Sequence, residues 1–85
     1  MQLLHYHCRM PTICKLPNKS IRVNTPDHLP PHVHVVMADR RDALVDLATL
    51  ALTSRTLRAS DIADALLWIK ANRAYCVHVF EECNP

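Results

Sequence analysis

The chain has 85 residues, 49% of them hydrophobic and 21% charged, with a formal net charge of +2 at pH 7. That length holds one small core and excludes a second, and the composition is that of a folded chain rather than a disordered one. The charge is too mild to announce nucleic-acid binding by itself.

The first residues, Met1-Gln2-Leu3-Leu4-His5-Tyr6-His7, have no cationic start and no long apolar stretch, so they do not read as a signal peptide. No apolar run approaches the ~20 residues of a membrane-spanning helix. The reading is a cytoplasmic protein without membrane contact. Residues 1–9 show no periodicity and read as an extension. Residues 10–85 read as a single domain. His5-Tyr6-His7-Cys8 is a weak metal candidate of a kind common in loose termini. The four cysteines, Cys8, Cys14, Cys76 and Cys83, form no Cys-x-x-Cys pair. In a cytoplasmic protein they are expected to be reduced and mostly buried.

Strands dominate the first half. Thr12–Leu16 is short and β-prone, and Pro17-Asn18-Lys19 ends it. Ser20–Asn24 alternates, with Ile21 and Val23 on one face. Residues 25–31 hold three prolines and form a loop. His32–Met37 is the clearest strand: Val33, Val35 and Met37 share one face, and His32, His34 and Val36 the other. A further strand runs through Ala43–Ala48, and apolar residues at Leu50 and Leu52 leave room for a fifth. Glycine is absent, so the turns must use Pro, Asn, Asp or Ser.

Helix dominates the second half. From Ala59 the apolar positions Ile62, Ala65, Leu66, Ile69, Cys76, Val79, Phe80 and Cys83 follow the 3.6-residue period, interrupted at Asn72-Arg73. Ser60 and Asp61 can open the first turn. Tyr75–Phe80 is rich in β-branched and aromatic residues, but the phase carried across the gap makes it helix. The expected fold is α+β: a small antiparallel sheet of about four strands, packed on one face by a long C-terminal helix.

Such a sheet leaves one face open. A three-residue loop at Asp39–Arg41 would pair Ala38 with Asp42, Val35 with Val45 and Val33 with Leu47 on the core side. It would set His34 across from Asp46 on the open side. A one-residue slip would turn Asp46 into the core, at the cost of burying a carboxylate. The open face is therefore expected to carry His32, His34 and Asp46, joined by Arg22.

Six histidines are many for this length, and the box Asp27-His28-Leu29-Pro30-Pro31-His32-Val33-His34-Val35 concentrates them. His32 and His34 leave a strand on the same side, roughly 6.5–7 Å apart at their origins. That spacing suits a shared phosphate, a shared metal, or an acid–base pair acting near neutral pH. Solvated surface histidines on an open sheet are the plainer alternative. Asp27, His28, His32 and His34 have acceptable chemistry for zinc. Their spacing fits no well-defined site, however, and a strand would aim His32 and His34 in parallel, so no metal is assigned. The strand lacks the third histidine of the histidine-triad hydrolases, and no glycine is present to form a close phosphate loop.

Met10-Pro11-Thr12-Ile13, the Asp27–Val35 box, the stretch Leu66-Leu67-Trp68-Ile69 with Asn72-Arg73, and Phe80 together resemble domain-of-unknown-function family 4160. The resemblance covers nearly the whole chain from Met10, and its most specific part is Pro-Pro-His-x-His-Val. It implies a short bacterial protein, a sheet packed by a C-terminal helix, and Met10 as an alternative start. Relatives often turn between the first strands on Gly-Gly, where this chain has Pro17-Asn18-Lys19. Many are encoded beside a small partner gene, which implies the toxin-like component of a toxin–antitoxin pair.

Two function classes follow. One is a module that binds a protein partner, a small antitoxin-like protein, through the open sheet face or an edge strand. The alternative is a metal-independent ribonuclease. There His32, His34 and Asp46 would move protons, Arg22, Arg40 and Arg41 would hold RNA phosphates, and Asp27 and His28 would form the site loop. Neither needs a cofactor. Trp68 and Phe80 are expected to anchor the helix to the sheet.

Overall fold

The computed structural model describes residues 11–85. The expectations for residues 1–9, for Met10 and for the His5–Cys8 group lie outside the described residues. Five strands follow in chain order: β1 (Thr12–Leu16), β2 (Lys19–Arg22), β3 (His32–Met37), β4 (Asp42–Asp46) and β5 (Leu52–Thr53). Each pairs antiparallel with the next, so the sheet is a simple meander. A 3-10 turn at Ala59–Ile62 leads into α1 (Ala63–Ala71) and then α2 (Arg73–Cys83).

The fold is α+β, as the pattern predicts, with β5 added to the expected sheet. The helical half is two helices instead of one, and Asn72 is the reason. Its backbone leaves the helical region at φ −122° and ψ 29°. Its side-chain amide donates to the Trp68 carbonyl at 2.9 Å, closing α1. Its own carbonyl accepts the Cys76 amide at 3.0 Å, opening α2. The seven-residue step from Ile69 to Cys76 keeps the apolar stripe on one side across the break, so both residues are buried. Tyr75–Phe80 lies inside α2, as expected.

The core forms between one sheet face and the helices. Ile21, Val23, Val33, Val35, Ala43, Val45 and Leu47 come from the sheet side, and Ile62, Ala65, Ile69, Cys76, Val79 and Phe80 from the helical side. Burying each of the larger ones contributes about 1.5–3 kcal/mol. Cys76 acts as a small apolar residue. Burial pushes its thiol up to about 11, with Cys14 adding to the shift, so it stays protonated. Among the described residues, no helix is long and apolar enough to cross a membrane.

Without glycine, three other residues take left-handed backbone: Asn18 at φ 61°, Arg40 at φ 75° and Leu50 at φ 63°. Asn18 makes the two-residue turn between Leu16 and Lys19, the position that glycine would otherwise fill. Arg40 sets the β3–β4 register, which differs from the expected one. The loop is Ala38-Asp39-Arg40, closed by hydrogen bonds from Met37 N–H to Arg41 O and from Arg40 N–H to Met37 O. A three-residue hairpin loop needs its last residue left-handed. Arg40 fills that position, while the Asp39 carboxylate accepts the Arg41 amide and guanidinium. The pairing is therefore shifted by two residues: Val35 faces Ala43, Val33 faces Val45, His34 faces Leu44 and His32 faces Asp46. A shift of two leaves the alternation along each strand unchanged and alters which residues meet across the hairpin.

Phe80 is fully buried, whereas Trp68 is half-buried and stacks edge-on with Tyr75 at 6.5 Å. Phe80→Ala should cost about 3–5 kcal/mol in urea denaturation. Trp68→Ala should cost less. A loss below about 1 kcal/mol for Phe80→Ala would show that α2 is not docked on the sheet as described.

Candidate functional site

The site forms where the loop before β3 meets the end of α2. Three prolines, Pro26, Pro30 and Pro31, restrict that loop, and the C-terminal end of α2 holds it. The Asn84 side chain donates to Asn24 O at 3.0 Å and accepts the Asp27 amide at 2.7 Å. The Thr25 hydroxyl donates to Cys83 O at 2.8 Å. These contacts turn the Asp27 carboxylate over the first residues of β3.

Asp27 gathers the histidines of the box. Its Oδ2 lies 2.7 Å from His32 Nε2 and 3.2 Å from His34 Nε2. Its Oδ1 accepts the His28 amide at 2.9 Å and lies 3.2 Å from the exposed His28 ring. The His32 and His34 rings are 5.1 Å apart, inclined at 68°. The Asn24 amide reaches His34 Nε2 at 3.1 Å. Burial pushes the Asp27 carboxyl up. Hydrogen bonds from His34, the His28 amide and His32 outweigh it and hold the group below the usual carboxylate range.

His32 is only 3% exposed and packs on Phe80, with ring centroids 5.3 Å apart. Its Nδ1 lies 2.8 Å from Pro30 O. A carbonyl only accepts, so Nδ1 donates. Its Nε2 faces Asp27 Oδ2, so both ring nitrogens have a partner.

Three expectations are corrected here. His32 is not on the open face, because loop and helix end close over the first residue of β3. The two imidazoles do not aim in parallel, because Asp27 draws both Nε2 atoms to one oxygen. Asp46 is not beside His34; it faces His32 across the hairpin. Its carboxylate accepts the Ala48 and Thr49 amides at 2.7 and 3.0 Å. Those bonds, from Thr49 and then Ala48, hold its pKa below the usual range. Asp27, expected in the site loop and as an acceptable zinc ligand beside His28, His32 and His34, takes the place expected for Asp46 as the carboxylate at the histidines. Asn24 and Asn84 were missed. Nothing in the sequence ties Asn84 to a loop some 60 residues earlier.

His34 is half-buried on the uncovered sheet face, in a row of cross-strand neighbours Arg22, His34, Leu44 and Thr53. Two recesses flank this row. One, of about 550 Å³, is lined by Lys15, Ser20, Arg22, Val36 and Arg40, among others. The other, of about 530 Å³, is lined by His34, Arg41, Asp42, Leu44, Thr53, Arg55 and Thr56, among others. The structure thus places Arg22 and Arg40 at one recess and Arg41 at the other, with His34 in the second.

A family model described as a domain of unknown function, DUF4160, matches residues 20–81, and the chain belongs to that family. The match spans Asp27, His28, His32 and His34. Comparison with curated proteins and with solved structures finds no match.

A carboxylate held below its ordinary value stabilises the fold fully above that value, near pH ~4, and loses its contribution as the pH falls through the lowered one. Asp27→Asn should therefore destabilise the protein at pH 7, by about 1–3 kcal/mol. The gap between parent and variant should close toward pH 3. Urea denaturation at both pH values checks this. A gap of equal size at both would show that the charge of Asp27 plays no part.

Proposed function

We propose that this member of the DUF4160 family binds single-stranded RNA on its open sheet face, with phosphate contacts supplying the affinity. One observation carries the reading. The fold leaves Lys15, Arg22, Arg40, Arg41 and Arg55 around the two recesses that flank His34. Of these, only Arg41 is ion-paired with a carboxylate among the described residues, to Asp39 at 2.8 Å. The net charge of +2 understates the field there, because Asp61, Asp64, Glu81 and Glu82 belong to the helical half.

A strand surface with no protruding helix suits a single strand better than a duplex groove. Among the described residues, Trp68, Tyr75 and Phe80 all lie in helices, so the sheet face itself offers none of them as a platform for base stacking. Asp42, Thr53 and Thr56 beside His34 offer acceptors for a ribose 2′-hydroxyl. A cleavage mechanism using both histidines needs both rings at the strand. His32 is buried, so His34 alone faces it, and the binding reading does not depend on cleavage.

The partner-binding reading has its own observation. Leu67 is 70% exposed and joins Leu50, Ala63, Leu66 and Lys70 in an apolar groove of about 530 Å³ beside α1. A small protein partner encoded next to this chain, as the family resemblance implies, would use that groove and leave the sheet face free. Leu67→Glu should then abolish co-purification with the neighbouring gene product and leave RNA binding unchanged. Retained co-purification would place the contact elsewhere.

Single strands release about 0.7 counterion per phosphate contacted, so four contacts give a log–log salt slope of about −3. Fluorescence anisotropy with a labelled RNA should show that slope. Arg22→Ala and Arg55→Ala should each weaken binding and flatten the slope by about 0.7. Salt-independent binding, or variants that bind like the parent, would remove the reading.

A further inference from the structure

We propose that Asp27, His32 and His34 form a binding site for a divalent transition-metal ion, with zinc as the reference ion. Their ligand atoms all lie within 4.8 Å of one another. An ion bound at about 2.0–2.2 Å holds its ligand atoms roughly 3–3.5 Å apart. Two of the separations here are 2.7 and 3.2 Å. Two imidazoles and one carboxylate favour zinc, cobalt, nickel or ferrous iron over magnesium or calcium, which take oxygen ligands.

The surroundings are those of a ligand set. The bond from His32 Nδ1 to Pro30 O fixes the tautomer that directs the Nε2 lone pair at an ion, the usual outer support of a metal-bound histidine. Phe80 stops that ring from swinging away. Asn84 and the His28 amide hold Asp27 in place. A zinc ion would fit between His32 Nε2 and Asp27 Oδ2 once that 2.7 Å pair opens by about half an ångström. The Asn24 amide, at 3.1 Å from His34 Nε2, would present its oxygen if turned over. The exposed His28 ring, beside Asp27 Oδ1, is a second candidate for a fourth donor. Three protein ligands with open positions describe a site that exchanges ligands rather than a closed structural one. His34 also lines the recess with Arg41 and Arg55, so the ion would adjoin the proposed phosphate-binding face.

The inference stands apart from the RNA reading, and its test reads the metal directly. The untagged full-length chain is titrated with zinc by calorimetry and with cobalt by visible absorption. A full-length control carrying His5→Ala, His7→Ala and Cys8→Ser removes the other candidate ligands. The expected result is one equivalent of zinc bound at a Kd on the order of micromolar or tighter, retained in that control. Cobalt should give the d–d bands of a four- or five-coordinate ion. His34→Ala, which removes a ring that lies outside the apolar core, should weaken zinc at least about 100-fold and abolish the bands while circular dichroism is unchanged. Asp27→Asn should do the same, and Arg22→Ala should leave zinc affinity untouched. Absence of binding, binding unaffected by His34→Ala and Asp27→Asn, or binding lost in the terminal control would overturn the proposal. Failure to bind RNA would leave it standing.

Discussion

The Asp27 carboxylate is the contact on which the end of this sheet depends. One anion collects three histidines, and a buried imidazole is tolerable there only because both of its nitrogens are satisfied. Pro30 O takes one side of His32 and Asp27 the other, with Phe80 filling the space behind. Remove the anion, and a buried polar ring loses a partner it cannot replace from water. The same carboxylate orients His34, which is the link between this closed corner and the open face. Its placement rests on the last turn of the chain, where Asn84 bonds to both Asn24 and Asp27. The core and the site are thus coupled: α2 must dock through Phe80 for its end to reach the loop.

The absence of glycine shapes the rest. Left-handed backbone falls to Asn18, Arg40 and Leu50, at some cost in backbone energy for the last two. At Arg40 that conformation sets the β3–β4 register, and the register decides which residues meet across the hairpin. It removes Asp46 from His34, puts Leu44 there, and frees Asp46 to bind the turn that follows β4. A local backbone requirement therefore decides the electrostatic surroundings of a candidate site residue several positions away.

The two sheet faces divide the work. The helical stripe is wide enough to cover one face, and the aliphatic residues of β2, β3 and β4 go under it. The other face keeps its polar alternation, with cations concentrated on it while most acidic residues of the second half stay on the helices. A mild net charge is compatible with a basic surface when the fold segregates the signs in this way.

Much of the fold was legible in the sequence because it rests on period alone. Alternation at Ile21–Val23 and Val33–Val35, and the helical phase from Ile62 to Cys83, assign residues to faces whatever their partners. The α+β class, the helix at Tyr75–Phe80 and the placement of Arg22 opposite in phase to Ile21 and Val23 follow from that. The box marked where polar chemistry would concentrate. Tertiary structure alone decided which carboxylate meets the histidines, that His32 is buried while His34 is not, and that Asn72 divides the helix. Those outcomes depend on contacts between residues far apart in sequence, such as Asn84 with Asp27 and Phe80 with His32. Periodicity records the side on which a residue lies, and carries no information about what closes over it.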